Sequence, residues 1–258
     1  MINFKKLKEI KGDASIRRFY RNKKNKSIIV FASKEKAKNL LAYDAVNKIL
    51  IKNDILAPKL ISQNFKNHYI EVDDFGEQTL YKILKNKKIK KYAFFQKIIK
   101  TLNNLQLIKD KNIINFKNEN FHIKAYNKKI LFNEANLFSK WYAFKKLSKL
   151  DYRKFKKVYC KEIKILLSKL NFQNNTLVHR DFHVSNLMYF EKNIAVIDSQ
   201  DALIGNKAYD LASLIDDVRL RTSIKLKDKV LAYYLKKLKK NELKKFKNDF
   251  EILSVLRN

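Results

Sequence analysis

Residues 177–202, LVHRDFHVSNLMYFEKNIAVIDSQDA, form the stretch that decides the fold of this chain. The apolar runs at residues 187–190 and 194–197 predict two short strands joined by a tight turn. Polar residues precede the first run, ending at Asn186, and follow the second run, starting at Asp198. Because a hairpin folds the chain back on itself, we expect the end of its second strand to lie near the loop that precedes its first strand.

The loop before this hairpin has the H-x-D-x-x-x-x-N spacing typical of a kinase catalytic loop, with His179, Asp181 and Asn186 at the three fixed places. Phosphoryl transfer needs one carboxylate at the attacking hydroxyl, and acidic or amide oxygens that hold Mg²⁺ against the triphosphate of ATP. The pattern predicts Asp181 for the first role, and Asn186 and Asp198 for the second. The alternative is that these are ordinary polar loop residues that cap short strands.

The order of elements along the chain predicts its fold class. The first elements are a hairpin, a helix and two strands, predicted at residues 16–32, 35–53, 59–63 and 68–72. From about Thr79 the pattern is mostly helical up to residue 171, and a short strand returns at residues 176–178. This order predicts an α+β fold with two lobes, a small β-rich N-lobe over residues 1–76 and a larger helical C-lobe over residues 77–258.

The net charge of the chain does not by itself identify a partner. The chain carries 58 Lys and Arg against 25 Asp and Glu, and its formal charge of +33 would suit nucleic acid or an anionic membrane surface. Only 8 of the basic residues are Arg, however, and Asn and Ile, whose codons are AT-rich like those of Lys, are also abundant. We interpret most of this charge as codon bias at solvated positions, so a small-molecule substrate is favoured over nucleic acid.

Cysteine usage and hydropathy predict the compartment. The single cysteine, Cys160, cannot form an intrachain disulfide and excludes a cysteine-rich metal site. The first residues, MINFKKLKEIKGDAS, lack the apolar segment of a signal peptide, and no apolar stretch approaches the ~18 residues that span a bilayer. The expectation is a cytoplasmic protein with no membrane partner.

Four further segments carry a resemblance to a known family. They are GDASIRRFYR at residues 12–21, VDDFGEQTLYKIL at 72–84, LFSKWYAF at 137–144 and IDSQDALIGNKAYDLASL at 197–214. With the catalytic loop, they resemble the aminoglycoside phosphotransferase and choline kinase superfamily, above all the branch that phosphorylates the anomeric hydroxyl of N-acetylmuramate and N-acetylglucosamine in cell-wall recycling. The resemblance implies a protein-kinase-like fold that uses ATP and Mg²⁺. Because the related kinases continue with more helix, it also implies a C-lobe that is truncated at its C-terminus.

The resemblance also implies roles for residues around the catalytic loop. Arg180 and His183 are assigned to the substrate site, where Arg180 would contact a phosphate or pair with an acid. The alternative for His183 is that it braces the loop. His179 would brace the loop through hydrogen bonds, and Asp201 would orient a metal ligand or a metal-bound water. Asp210, at a predicted helix start, would also brace the loop, with a simple N-terminal helix charge as the alternative.

For ATP, the resemblance implies that the first hairpin covers the phosphates and that residues 70–76, including Asp73, form the hinge at the adenine. The chain has no G-x-G-x-x-G in this hairpin and no lysine within the strand at residues 27–32. The phosphate contacts are therefore assigned to three hairpin residues, Ser15, Arg17 and Arg18. The alternative for the two arginines is that they are solvated strand residues.

The acceptor site is predicted from Glu134, Phe138 and Trp141, whose spacings of four and three place them on one face of a helix. An acid can accept hydrogen bonds from sugar hydroxyls and an aromatic ring can cover an apolar sugar face. Glu134 is therefore predicted to bind the substrate that accepts the phosphate. For Phe138 and Trp141, the better interpretation is a stripe of apolar side chains buried in the core. Two other functions remain open: an aminoglycoside or choline-type kinase, and a catalytically silent kinase-like binding protein or basic nucleic-acid-binding module.

Overall fold

The computed structural model of the protein describes residues 7–10, 17–86 and 88–257, and its residues group into two units. Unit 1 contains Met1–Lys91, Asn103–Ile123 and Val184–Ala202. Unit 2 contains Tyr92–Leu102, Lys124–His183 and Leu203–Asn258. The division into lobes at residues 76 and 77 stays a prediction.

Strands and helices are numbered here in chain order. The strands are β1 (Lys8–Ile10), β2 (Arg17–Asn22), β3 (Ser27–Ala32), β4 (Leu60–Asn64), β5 (Tyr69–Asp73), β6 (Asn112–Ile114), β7 (Asn120–His122), β8 (Thr176–Val178), β9 (Leu187–Phe190), β10 (Asn193–Val196) and β11 (Leu203–Gly205). The α-helices are α1 (Lys38–Lys52), α2 (Leu80–Lys85), α3 (Lys91–Leu107), α4 (Lys128–Ala135), α5 (Phe144–Lys146), α6 (Lys149–Ser168), α7 (Tyr209–Ile215), α8 (Ile224–Leu235) and α9 (Lys240–Arg257).

Unit 1 is built on a five-stranded antiparallel sheet with the order β1-β2-β3-β5-β4. Alternate residues of the central strands point to one face, which the apolar side of α1 covers. The buried cluster between them comprises Val30, Ala32, Leu40, Tyr43, Ile70 and Val72. The predicted first hairpin, the helix after it and the two following strands are confirmed to within three residues at each described boundary.

A second hairpin in unit 1 is formed by β9 and β10, which pair antiparallel with Leu187 opposite Val196. Its apolar side chains Met188 and Ala195 pack with Phe75 in a small buried cluster. An isolated bridge between Thr79 and Met188 ties it to the segment after β5. The hairpin predicted from residues 187–190 and 194–197 is thus confirmed.

Unit 2 is mostly helical. Helices α4 and α6–α9 belong to it, together with a two-stranded sheet of β8 and β11. Helix α9 is anchored by the fully buried carboxylate of Asp249, which accepts hydrogen bonds from the backbone N–H groups of Asn171 and Phe172 and from the side chain of Asn206. This anchor ties the middle of α9 to the segment after α6 and to Asn206.

The segment from Thr79 to residue 171 is mostly helical, as predicted, but it also contains two strands that the sequence analysis did not expect. Strands β6 and β7 form a short hairpin in unit 1, and Asn118 between them adopts a left-handed φ of 60°. Short β-branched runs such as Ile113-Ile114 favour a strand over a helix, and Asn tolerates this turn conformation. Beyond α4, Phe138–Ala143 form a π-helix, whose wider turn breaks the 3.6-residue spacing.

The mixed α+β class predicted from the sequence is confirmed, since an antiparallel sheet near the N-terminus is followed by mostly helical chain. Within the described part of the chain, no helix combines the length and the hydropathy needed to cross a bilayer.

Candidate active site

Asn186 and Asp198, the two predicted magnesium ligands, lie at the same end of the β9–β10 hairpin. Asn186 immediately precedes β9, and its carbonyl oxygen accepts a hydrogen bond of 3.0 Å from the backbone N–H of Ile197. Asp198 follows and adopts a left-handed φ of 65°, a conformation that Asp tolerates better than most residues. The hairpin therefore brings the backbone of Asn186 next to that of Ile197, the residue before Asp198, although Asn186 and Asp198 are twelve positions apart in sequence.

Arg17 of β2 supplies the positive charge beside Asp198. Its Nη2 donates to Asp198 Oδ1 over 2.9 Å, and its side chain is only 6% exposed, compared with 33% for Asp198. Arg18 is exposed, because consecutive strand residues point to opposite faces. The structure therefore brings Arg17, and not Arg18, to Asp198.

Helix α1 contacts the residue after Asp198 through a buried polar pair that the sequence analysis missed. Ser199 donates from Oγ to Asn47 Oδ1 over 2.6 Å, and Asn47 Nδ2 donates to the carbonyl oxygen of Pro58 over 2.9 Å. Tyr43 lies one turn earlier, and its burial together with the charge of Asp198 raises the pKa of its hydroxyl. The available signal was that Asn47 lies among the apolar residues Val46, Ile49 and Leu50 of a predicted helix.

The other residues proposed near the nucleotide are placed as follows. Ser15 lies outside the described residues. Asp73, at the end of β5, accepts a hydrogen bond from the backbone N–H of Lys59 over 3.1 Å. Asp201 is exposed and accepts from Gln200 Nε2 over 2.8 Å. These contacts hold loop conformations in unit 1.

Asp181 opens into a cavity of about 390 Å³ in unit 2. Its side chain is 47% exposed, so the carboxylate is accessible from solvent. Six charged residues of balanced sign line this cavity: Glu134, Asp181, Asp217, Arg180, Arg219 and Arg257.

The backbone just before Asp181 is held by Asp210 of α7. The Asp210 carboxylate accepts from the N–H of His179 over 2.7 Å and from that of Arg180 over 3.0 Å. Burial of this side chain, which is 1% exposed, raises its pKa to about 6 despite the two backbone hydrogen bonds and the neighbouring positive charges. At neutral pH Asp210 is therefore ionised, and its carboxylate accepts both hydrogen bonds. These are the contacts by which Asp210 would brace the loop. His179 is itself buried and packs edge-on against Phe182.

Glu134 and Arg180 form an ion pair at the cavity wall. The two carboxylate oxygens of Glu134 accept from Arg180 Nη2 and from the hydroxyl of Tyr126. The Arg180 guanidinium also lies 5.3 Å from the centroid of the buried Tyr126 ring. The three side chains form one connected group that orients Arg180, the residue before Asp181.

Phe138 and Trp141 are separated from Glu134 by the turn at the end of α4 and the π-helix. They do not line the cavity, and Trp141 is 66% exposed. The core stripe expected for these two residues is therefore wrong, since both side chains are exposed and Phe138 contacts the rings of Tyr142 and Tyr159.

His183 is buried, and its backbone N–H donates to the carbonyl of Asp181 over 2.9 Å. Burial and the positive charge of Arg219 lower the pKa of its imidazole to about 4, against the opposing charges of Asp217 and Asp181. At neutral pH the ring is uncharged, so it adds no positive charge for binding an anion.

The donor set in unit 1 fits Mg²⁺. Asn186 and Asp198 offer an amide and a carboxylate oxygen, the hard donors that this ion prefers. Within residues 7–10, 17–86 and 88–257 there is no cluster of three or more His, Cys, Asp or Glu that would form a cage of protein ligands. Mg²⁺ is typically held by one or two protein oxygens, with phosphates and water filling the other positions.

The chain is similar to several known proteins. Over 207 residues the chain is 25% identical to the N-acetylmuramate/N-acetylglucosamine kinase of Pseudomonas putida, covering 80% of this chain and 58% of that protein. Over 95 residues it is 37% identical to the kinase of the same name from Neisseria meningitidis, covering 37% of this chain and 28% of that protein. The chain thus spans little more than half of the length of the first relative.

Among solved structures, the ADP-bound aminoglycoside phosphotransferase APH(2'')-Ib superposes with a TM-score of 0.67 at 17% identity, covering 93% of this chain and 80% of that one. This likeness confirms the aminoglycoside-phosphotransferase-like fold. The model of the phosphotransferase enzyme family matches residues 6–245, nearly the whole chain. The chain therefore belongs to the phosphotransferase enzyme family.

Proposed function

We propose that the protein is an ATP-dependent kinase that phosphorylates a hydroxyl of a small molecule. The observation that carries this proposal is Asp181, whose accessible carboxylate faces a cavity while Asp210 holds the loop backbone before it. A carboxylate in this setting can accept the proton of an acceptor hydroxyl. The hydroxyl oxygen then bonds to the γ-phosphorus of ATP, the bond from that phosphorus to the bridging oxygen breaks, and ADP leaves.

The nucleotide roles are proposed for unit 1. Asn186 and Asp198 would hold Mg²⁺, which when bound neutralises charge on the phosphates. Arg17 would contact a phosphate, because it is the hairpin arginine whose guanidinium lies beside Asp198, one of the two residues proposed to hold Mg²⁺. The backbone of residues 70–76 is proposed to meet the adenine.

For the acceptor we propose an amino sugar, N-acetylmuramate or N-acetylglucosamine, phosphorylated at the anomeric hydroxyl during cell-wall recycling. The names of the relatives support this class. The polar cavity also supports it, since the buried Ser213 hydroxyl lines the cavity and has no hydrogen-bond partner within the described residues. An acceptor hydroxyl or amide, or a water, would satisfy this group. The single cysteine agrees with a cytoplasmic enzyme.

A cationic acceptor such as an aminoglycoside is the second candidate, because the solved structure compared above is an aminoglycoside phosphotransferase. The charges of the cavity argue against it. Three carboxylates are matched by three arginines, and the whole chain carries +33. A cationic acceptor would be repelled at long range and would find no excess of acids in the cavity.

The experiment is a coupled ADP-release assay with ATP, Mg²⁺ and a panel of N-acetylmuramate, N-acetylglucosamine, choline and an aminoglycoside. We expect turnover with the N-acetylated sugars, and loss of at least a thousandfold in kcat for Asp181→Asn with an unchanged melting temperature. Glu162→Gln, a change of an exposed acid on α6, is the matched control and should keep full activity. Equal rates for Asp181→Asn and the unmodified chain would exclude the mechanism, and turnover of only the cationic acceptors would exclude the amino sugar.

A further inference from the structure

We propose that Arg257, in the last turn of α9, is a positioning residue that holds Asp181 and its loop in the geometry needed for catalysis. The proposal rests on the proposed kinase function, since it gives Asp181 the reacting hydroxyl. Neither the catalytic-loop spacing nor the resemblance drew attention to Arg257, which lies 76 residues from Asp181 in sequence.

Arg257 contacts the loop at two consecutive residues. Its Nη1 donates to the carbonyl oxygen of Arg180 over 2.6 Å, and its Nη2 lies 3.5 Å from Asp181 Oδ1. The side chain is mostly buried, so these contacts are made largely out of water. One guanidinium thus fixes the peptide before Asp181 and places a positive charge beside its carboxylate.

The guanidinium is itself held in place. Arg257 Nη1 donates to the hydroxyl of Tyr209 over 3.1 Å, and its guanidinium carbon lies 5.4 Å from the centroid of the Tyr209 ring. The helix that carries Arg257 is anchored by the buried Asp249. A planar group with several fixed contacts loses little further freedom when it orients a neighbour.

Both the N–H groups and a carbonyl group of the loop backbone are therefore hydrogen-bonded to side chains of other elements. Asp210 of α7 accepts the N–H groups of His179 and Arg180, while Arg257 of α9 donates to the carbonyl of Arg180. Arg180 adopts a left-handed φ of 73°, a conformation that is unfavourable for a residue with a long side chain. Hydrogen bonds to both its N–H and its carbonyl stabilise this conformation and so set where Asp181 points.

The same arginine also lines the cavity, so direct contact with the acceptor is the competing role. The two roles differ in kinetics. A positioning residue lowers kcat with little change in the KM of the acceptor, whereas a residue that only binds the acceptor raises that KM with kcat unchanged.

The test compares Arg257→Gln, Arg257→Lys and Arg257→Ala with Arg153→Gln, which changes an exposed arginine on α6. We expect kcat to fall by about 10- to 100-fold in Arg257→Gln, the range caused by small displacements of a reacting group, with acceptor KM within twofold. Arg257→Lys should be intermediate, because an ammonium lacks the fork that reaches both contacts. Added guanidinium should restore part of the rate of Arg257→Ala, and Arg153→Gln should match the unmodified chain.

A second readout is independent of activity. Amide hydrogen exchange of residues 177–183 should be at least tenfold faster in Arg257→Gln than in Arg153→Gln, with exchange in α6 unchanged. An unchanged kcat, an effect on acceptor KM alone, or unchanged exchange in this loop would each overturn the positioning role. If the unmodified chain turned over no acceptor, the kinase proposal would fail, and the exchange comparison would still decide whether Arg257 holds the loop.

Discussion

Arg17 Nη2 lies 2.9 Å from Asp198 Oδ1, which joins β2 directly to the end of the β9–β10 hairpin. In protein kinases a lysine within the third strand contacts the ATP phosphates, but β3 of this chain contains no lysine. Arg17 is opposite Ala32 at the end of β3, so a cation reaches Asp198 from the neighbouring strand. Because of this position, Arg17 is the leading candidate for the phosphate-binding cation. Its neighbour Arg18 points to the opposite, exposed face of the strand.

Arg17→Met should weaken binding of an ATP analogue with Mg²⁺ about 10- to 100-fold. The reason is the loss of a charge-assisted hydrogen bond, which is worth about 1.5–3 kcal/mol. The matched change Arg18→Met removes the same charge from the exposed face of the same strand and should alter the dissociation constant less than twofold. Calorimetric titration measures both. Equal effects of the two changes would show that only the net charge of the hairpin matters.

The Asn47–Ser199 hydrogen bond should appear as a coupling energy in a double-mutant cycle. Asn47→Ala and Ser199→Ala each remove one partner of a buried 2.6 Å contact, so the double variant should lose less than the sum of the single variants. We expect a coupling of about 0.5–1.5 kcal/mol in the free energy of urea unfolding. Asn64→Ala, a change in β4, should be additive with Ser199→Ala. If the effects of Asn47→Ala and Ser199→Ala on the free energy of unfolding were also additive, the contact between them would not stabilise the loop after Asp198.

Asp210 should make stability depend on pH between about 4 and 6. Its pKa is raised by burial from an ordinary 3.8 to about 6, so in this window the folded state keeps a proton that the unfolded chain has lost. Its contribution to stability is therefore largest below pH 4 and declines as pH rises to 6. Relative to Asp210→Asn, the free energy of unfolding should fall by about 3 kcal/mol across this window and stay level above it.

Chemical denaturation at a series of pH values measures this difference. Asp228→Asn, a change of an exposed acid on α8 in the same unit, serves as the control for the loss of one carboxylate. A difference that rises with pH would indicate that hydrogen bonding to the carboxylate outweighs its burial.

Glu134→Gln should lower stability by about 1–2 kcal/mol, because it removes the charge that pairs with the half-buried Arg180 but keeps the shape of the side chain. It should also raise the KM of the acceptor, since Arg180 would lose its fixed orientation at the cavity wall. Thermal unfolding and acceptor titrations measure the two effects, with Glu162→Gln as the control. A change in stability without any change in KM would assign Glu134 to structure alone.

Much of the fold was predictable from local sequence. Helix α1 and the β9–β10 hairpin follow from apolar residues at periods of about 3.6 and from short apolar runs bounded by polar loops. The eleven residues between Asn186 and Asp198 also suffice to predict that both lie at one end of that hairpin. The β6–β7 hairpin escaped prediction because its three-residue strands leave too short a pattern to stand out from the surrounding helices.

The sequence by itself determined the family-typical loop around Asp181, because these signals lie within about twenty residues and depend on spacing alone. Only the tertiary structure decided which distant side chains serve that chemistry. Arg17 and Asp198 are 181 residues apart, and Asn47 and Ser199 are 152 apart. Such pairs leave no periodic trace in sequence, since they arise where separate elements pack together and a buried polar group must find a partner.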